Sequence, residues 1–112
     1  MVNVFEQGDI INLGFNPQTG HEQKGRRPAV VISNNVFNKF SKLLMVCPIT
    51  NTNKHLPFHV ELDSRTNITG VILCDQAKML DVGSRNAQFV ERLPQDKLEE
   101  VVDLVYSFIE IV

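Results

Sequence analysis

The chain has 112 residues, 43% of them hydrophobic and 21% charged, with a formal net charge of −2. That length fits a single domain spanning residues 1–112, and the composition excludes a disordered or collagen-like chain. The mildly acidic total weighs against a nucleic-acid binder, and no apolar run approaches the roughly 20 residues that cross a bilayer.

The start of the chain, Met1 to Glu6, has neither a basic segment nor an apolar stretch, so no secretory signal is expected. Asp9 to Phe15 alternates, with Ile11, Leu13 and Phe15 on one side of a pleat, and predicts a strand. Asn16-Pro17-Gln18-Thr19-Gly20 is turn chemistry and opens a polar stretch that runs to Arg26. Pro28 to Ser33 is a nearly continuous apolar run, expected as a buried strand with Pro28 at its start, where a missing N–H is tolerated. Asn34-Asn35 predicts the cap of a short helical turn toward Phe40. Further strands are expected over Leu43 to Cys47, Phe58 to Leu62, Gly70 to Gln76 and Phe89 to Leu93. After Pro94, apolar residues at Leu98, Val101, Val102, Val105, Phe108, Ile109 and Val112 keep helical spacing, and Asp96, Glu99 and Glu100 sit where acids suit the helix dipole. Short strands followed by a terminal helix predict a mostly β, α+β domain, barrel-like and antiparallel.

The net charge conceals a segregation. From Asn16 to Phe58, Lys24, Arg26, Arg27, Lys39, Lys42 and Lys54 stand against Glu22 alone, whereas from Pro94 onward five acids face only Lys97. Charge divided in this way either builds one basic face on a near-neutral body or reflects a solvated helix opposite loop lysines.

Several constellations are absent: a P-loop, a dinucleotide glycine pattern, metal spacing among His21, His55 and His59, a CxxC pair and a nucleophile elbow. Cys47 and Cys74 fall in expected strands and read as buried thiols of a reducing compartment. His55 and His59 read as loop and strand-surface residues, and Phe15 and Phe58 as core. What stands out is the polar loop Gly20-His21-Glu22-Gln23-Lys24-Gly25-Arg26-Arg27 feeding into an apolar strand, with a second polar cluster, Thr50-Asn51-Thr52-Asn53-Lys54, after the strand ending at Cys47-Pro48. Pro28 pushes Arg27 toward an extended backbone, and a guanidinium held that way is a good bidentate phosphate ligand. If these two strands pair, their ends bring Arg27 and Thr50 together, and with Glu22 they make a phosphodiester site; otherwise the loop is a hairpin with solvated charges.

Gly8-Asp9-Ile10, Asn16-Pro17, the string from Gly20 to Ser33, Phe37-Asn38, Cys47-Pro48-Ile49-Thr50, Leu56-Pro57-Phe58, Gly70-Val71 and Asp75-Gln76 together resemble the MazF/PemK family of toxin endoribonucleases. The match runs from Gly8 to about Asp81. The resemblance implies a small SH3-like barrel with a C-terminal helix, a cytoplasmic homodimer, and a cognate MazE-like antitoxin as partner. It implies cleavage of single-stranded RNA or mRNA at a short sequence, with no metal, cofactor or membrane involved. By position it makes Arg27, Thr50 and Glu22 catalytic, with His21, Gln23, Lys24, Arg26, Asn51, Lys54, Asp75 and Gln76 along the RNA. The Kid/PemK branch carries Arg-Cys-Asp-Gln where this chain has Leu73-Cys74-Asp75-Gln76. That departure places the chain nearer the MazF-like branch and makes Asp75 a turn-stabilising or RNA-contacting residue. An alternative on the same fold is a non-enzymatic poison of DNA gyrase resembling CcdB, which would act through its terminal helix.

Overall fold

The structure is a computed structural model that describes residues 5–15 and 25–112. The expected turn at Asn16-Pro17 and the loop residues His21, Glu22, Gln23 and Lys24 lie outside the described residues.

The alternating segment forms β1 (Asp9–Gly14), which pairs antiparallel with β2 (Arg26–Val31) on one edge and β7 (Gln88–Arg92) on the other. An ion pair to the buried Asp9 pins the start of β1: Arg92, itself half exposed, donates through Nη1 to Asp9 Oδ1 at 2.8 Å, and the Glu6 N–H donates to the other carboxylate oxygen. β2 pairs with β3 (Leu43–Thr50) in the register Ala29↔Pro48, Val30↔Cys47 and Val31↔Val46. The opposite edge of β3 carries two strands in succession. β6 (Lys78–Asp81) runs along Leu43–Val46, and β5 (Val71–Leu73) along Ile49–Thr50. β4 (His59–Glu61) completes the order β4-β5-β3-β2-β1-β7. Among the described residues β4 and β7 do not pair, so the sheet is barrel-like without closing.

Period-two alternation through β1, β2 and β3 divides their side chains between two cores. Ile10, Val30, Ile32, Cys47 and Ile49 face the first, which Leu98 and Val101 of α2 (Gln95–Ile109) cover. Ile11, Leu13, Ala29, Val31, Leu44 and Val46 face the second, together with Leu80 and Val82. This is why these strands read as near-continuous apolar runs: both faces are buried, each large aliphatic side chain contributing about 1.5–3 kcal/mol. The expected helical turn is α1 (Asn35–Phe40), capped by Asn34, whose side chain accepts from the Phe37 N–H. Asn38 is buried behind it and donates to the Ser33 carbonyl.

Three expectations change. The run from Gly70 to Gln76 is not one strand: it breaks at Leu73 into a 3-10 turn over Cys74–Gln76, and the chain then resumes beside β3 as β6. The registers of β5 and β6 on β3 differ by three residues, and that turn takes up the difference. Phe58 is not core; it is 45% exposed and meets Phe108 of α2 edge-on, ring centres 5.4 Å apart. Of the helix stripe, Leu98 and Val101 are buried and Val102, Leu104 and Val105 pack against the first core, but Phe108 and Ile109 are exposed and Val112 lies past the helix. The core ends before the helix does.

Candidate active site

Arg27 is exposed on β2 opposite Leu13. The β2–β3 ladder stops at Ala29↔Pro48 because Pro28 and Pro48 both lack a donor. β3 then takes up β5, with Thr50 opposite Val71. Counting the β2–β3 register on by two residues sets Arg27 across from Thr50. Alternation puts both on the face of the second core, Arg27 with Ala29 and Val31, Thr50 with Leu44 and Val46.

Phe15 shares that face. It packs partly against the second core, yet two cations approach its ring: the Arg27 guanidinium carbon at 5.8 Å from the ring centre and Lys78 Nζ at 5.7 Å. Both lie within the roughly 6 Å over which a ring quadrupole attracts a cation. Among the described residues no carboxylate pairs with Arg27 or Lys78. Two cations held over one ring, neither paired with a carboxylate among the described residues, have the chemistry to attract an anion such as a phosphodiester.

The Thr50 hydroxyl accepts from the Thr52 N–H at 3.2 Å, which leaves its own proton to donate outward. The backbone behind it is crowded. Gly70, at φ +116°, packs so closely that a Cβ there would lie 2.2 Å from the Thr50 carbonyl oxygen. Asn51 accepts from the Thr69 hydroxyl through Oδ1, and Lys54 is exposed on the segment beyond. Arg26 behaves differently from its neighbour. Its guanidinium donates to the main-chain carbonyls of Asn12, Arg85 and Asn86, at 3.1, 3.3 and 2.8 Å.

Asp75 and Gln76 are exposed in the 3-10 turn that leads into β6 and Lys78. Asp75 Oδ1 lies 3.4 Å from Nε2 of His59. The His59 side chain is only 7% exposed, contrary to its expected place on the strand surface, because the turn folds over β4. The thiols of Cys47 and Cys74 are buried as expected; burial, followed by the charge of Cys74 and Asp75 at Cys47 and of Asp75 and Glu100 at Cys74, pushes both up to about 12. From the sequence the ring of Phe15 is expected as core, and Lys78 is open between an extension of the phosphate track and a plain solubility charge. Their signal was present in the alternation of Ile11, Leu13 and Phe15, but the turn that positions Lys78 has no comparable pattern.

The model of the PemK-like, MazF-like toxins of type II toxin–antitoxin systems matches residues 6–109. Endoribonuclease PemK of Escherichia coli is 35% identical over 101 residues, covering 87% of this chain and 76% of its own length. Endoribonuclease toxin ChpB of Escherichia coli (strain K12) is 35% identical over 111 residues, 95% of both chains. Among solved structures, a chain in the MazE–MazF crystal structure from Deinococcus radiodurans superposes with a TM-score of 0.86 at 35% identity, covering 97% of this chain and 99% of that one. The open antiparallel sheet with a terminal helix is thus the fold that this chain shares with toxin endoribonucleases. The chain belongs to the PemK-like, MazF-like toxin family of type II toxin–antitoxin systems.

Proposed function

We propose that the protein cleaves single-stranded RNA, mRNA included, at a short sequence, using the RNA's own 2′-OH as nucleophile. What supports this reading is that the β2–β3 register, continued two residues beyond Ala29↔Pro48, sets Arg27 across from Thr50 on one face, with Phe15 and Lys78 close to Arg27. In-line attack forms the O2′–P bond and breaks the P–O5′ bond, giving a 2′,3′-cyclic phosphate and a 5′-OH end. Because the nucleophile is internal, this route needs no metal-activated water. The Arg27 guanidinium, protonated at any working pH, binds the non-bridging oxygens as charge builds on them. Thr50 donates its hydroxyl proton to one of those oxygens. The 2′-OH proton passes to a base, for which Glu22 and His21 are the candidates, and water supplies the proton taken up by the departing O5′. His21, Gln23, Lys24, Asn51, Lys54, Asp75 and Gln76 line the RNA path in this reading, with Lys78 added to it.

The MazE–MazF pairing in the Deinococcus structure supports a cognate MazE-like antitoxin, and the exposed basic face favours an acidic segment of it that competes with RNA. A cytoplasmic homodimer follows from the family, and the exposed apolar end of α2 is consistent with it. No helix among the described residues is long and apolar enough to cross a membrane. The test is incubation with a long RNA in excess chelator, followed by end mapping. The wild type is expected to cut and leave cyclic phosphate ends, and Arg27→Ala and Thr50→Val to lose on the order of 10²–10³ in rate. Intact RNA with the wild type, or full cutting by both variants, overturns the proposal.

A further inference from the structure

Arg26 and Arg85 are the two guanidiniums of the described chain whose donors go only to main-chain carbonyls. Arg85 donates through Nε to the Asp81 carbonyl at 3.0 Å and through Nη1 to the carbonyls of Gly14 and Phe15 at 3.1 and 2.8 Å. Its own carbonyl accepts from the Gly14 N–H at 3.0 Å and from Arg26 Nη1 at 3.3 Å. The clasp is therefore reciprocal, and it lies where β1 ends: Gly14 is the last strand residue, and the Phe15 N–H reaches the Gly25 carbonyl across the stem of the 16–24 segment. Without Arg85 the Phe15 carbonyl has no donor among the described residues. A planar guanidinium presents its donors from separate nitrogens in a fixed fork, a geometry that the point-like ammonium of lysine does not reproduce.

We infer that Arg85 is a positioning residue for Arg27, acting through the main chain of Phe15 and the face of its ring, with Arg26 fixing the Arg85 segment from the other strand. The inference rests on the proposed function in giving Arg27 a role in the reaction. The Phe15 ring is the surface against which the Arg27 guanidinium and the Lys78 ammonium both lie, so any displacement of Phe15 displaces both cations. It also gives Arg26, which the resemblance sets along the RNA, a main-chain role, because three of its N–H donors go to the carbonyls of Asn12, Arg85 and Asn86.

The test uses the full chain and Arg85→Lys, with turnover of a short fluorogenic RNA in chelator, thermal melting, and the ¹⁵N–¹H resonance of Arg27 Nε, which senses the ring current of Phe15. The expected result is a folded variant with KM within about threefold of wild type, kcat lower by roughly 10–100-fold, and a shifted Arg27 resonance. Phe15→Leu, which keeps both clasps and removes the aromatic face, is expected to give the same shift and a similar loss, and the double variant little more than either alone. If Arg85→Lys does not fold, Phe15→Leu with Arg26→Lys carries the same comparison. Wild-type turnover in Arg85→Lys, a loss confined to KM, an unmoved Arg27 resonance or additive effects in the double variant each overturn the inference. A wild type that leaves RNA intact defeats the proposed function instead, and the resonance shift still decides whether Arg85 positions Arg27.

Discussion

Replacing Gly70 with alanine is expected to damage the site from behind, through the main chain of Thr50. A Cβ at this position would stand 2.2 Å from the Thr50 carbonyl oxygen and 2.8 Å from its carbonyl carbon. Those atoms are backbone, held by the β3–β5 pairing of Thr50 with Val71, so they cannot swing aside as a side chain would. Restoring even a tight contact of 3.0 Å requires a retreat of about 0.8 Å. The φ of +116° adds strain of about 1–3 kcal/mol for a residue with a Cβ. Together these give a destabilisation of roughly 2–4 kcal/mol, which for a domain of this size lowers the melting temperature by about 8–16 °C. Because the displaced backbone carries Thr50, turnover of the folded variant should fall by about 10² as well, the cost of a misplacement approaching 1 Å. Calorimetry and single-turnover cleavage below the variant's melting temperature separate the two effects. A variant that melts and turns over like wild type would refute the reasoning, and a variant that only melts early would refute the link from Gly70 to Thr50.

The two thiols should resist a disulfide reagent at pH 8 in the native protein and react promptly once guanidinium unfolds it, because burial holds their pKa at about 12. The same shift has a stability consequence. The folded state keeps protons that the unfolded chain releases near 9, so this contribution is complete below pH 9 and lost as the pH rises toward 12; melting temperatures that stay level over that range would contradict it. At the acid end, the Arg65 guanidinium bridges Asp63 and Asp96, and its hydrogen bonds lower Asp63 from 3.8 to about 2 and lower Asp96 as well. Stability from this exposed cluster is present above pH 4 and lost as pH falls toward 2, and Arg65→Gln should flatten that part of the acid melting curve; an unchanged curve would show that the cluster contributes nothing.

How much of this could be read beforehand depended on how local the cause was. β1, β2, β3 and α2 were visible because burial on one or both faces writes a period directly into the chain, and Asn34 was visible because its cap bond spans three residues. β6 was not, since Lys78, Met79 and Asp81 are exposed and only Leu80 is buried, which leaves no pattern to find. That Arg27 and Thr50 fall on neighbouring strands, β2 and β3, could be anticipated because each borders an apolar run. The place of Arg85 could not, because it is fixed by carbonyls some 70 residues earlier in the chain. His59 failed for a similar reason: the turn that follows the next strand, β5, covers it.

The two cores share β1, β2 and β3 as a common wall, each strand contributing alternate side chains to either side. Such a wall couples the halves of the molecule. Opening the helix side exposes the back of the strands that the other side needs, so neither half can melt alone and amide exchange in β3 must wait for the whole domain to unfold. A protease that requires a locally opened segment would find its footholds at the exposed end of α2 or in the connecting loops, and not in the strands that carry Arg27 and Thr50.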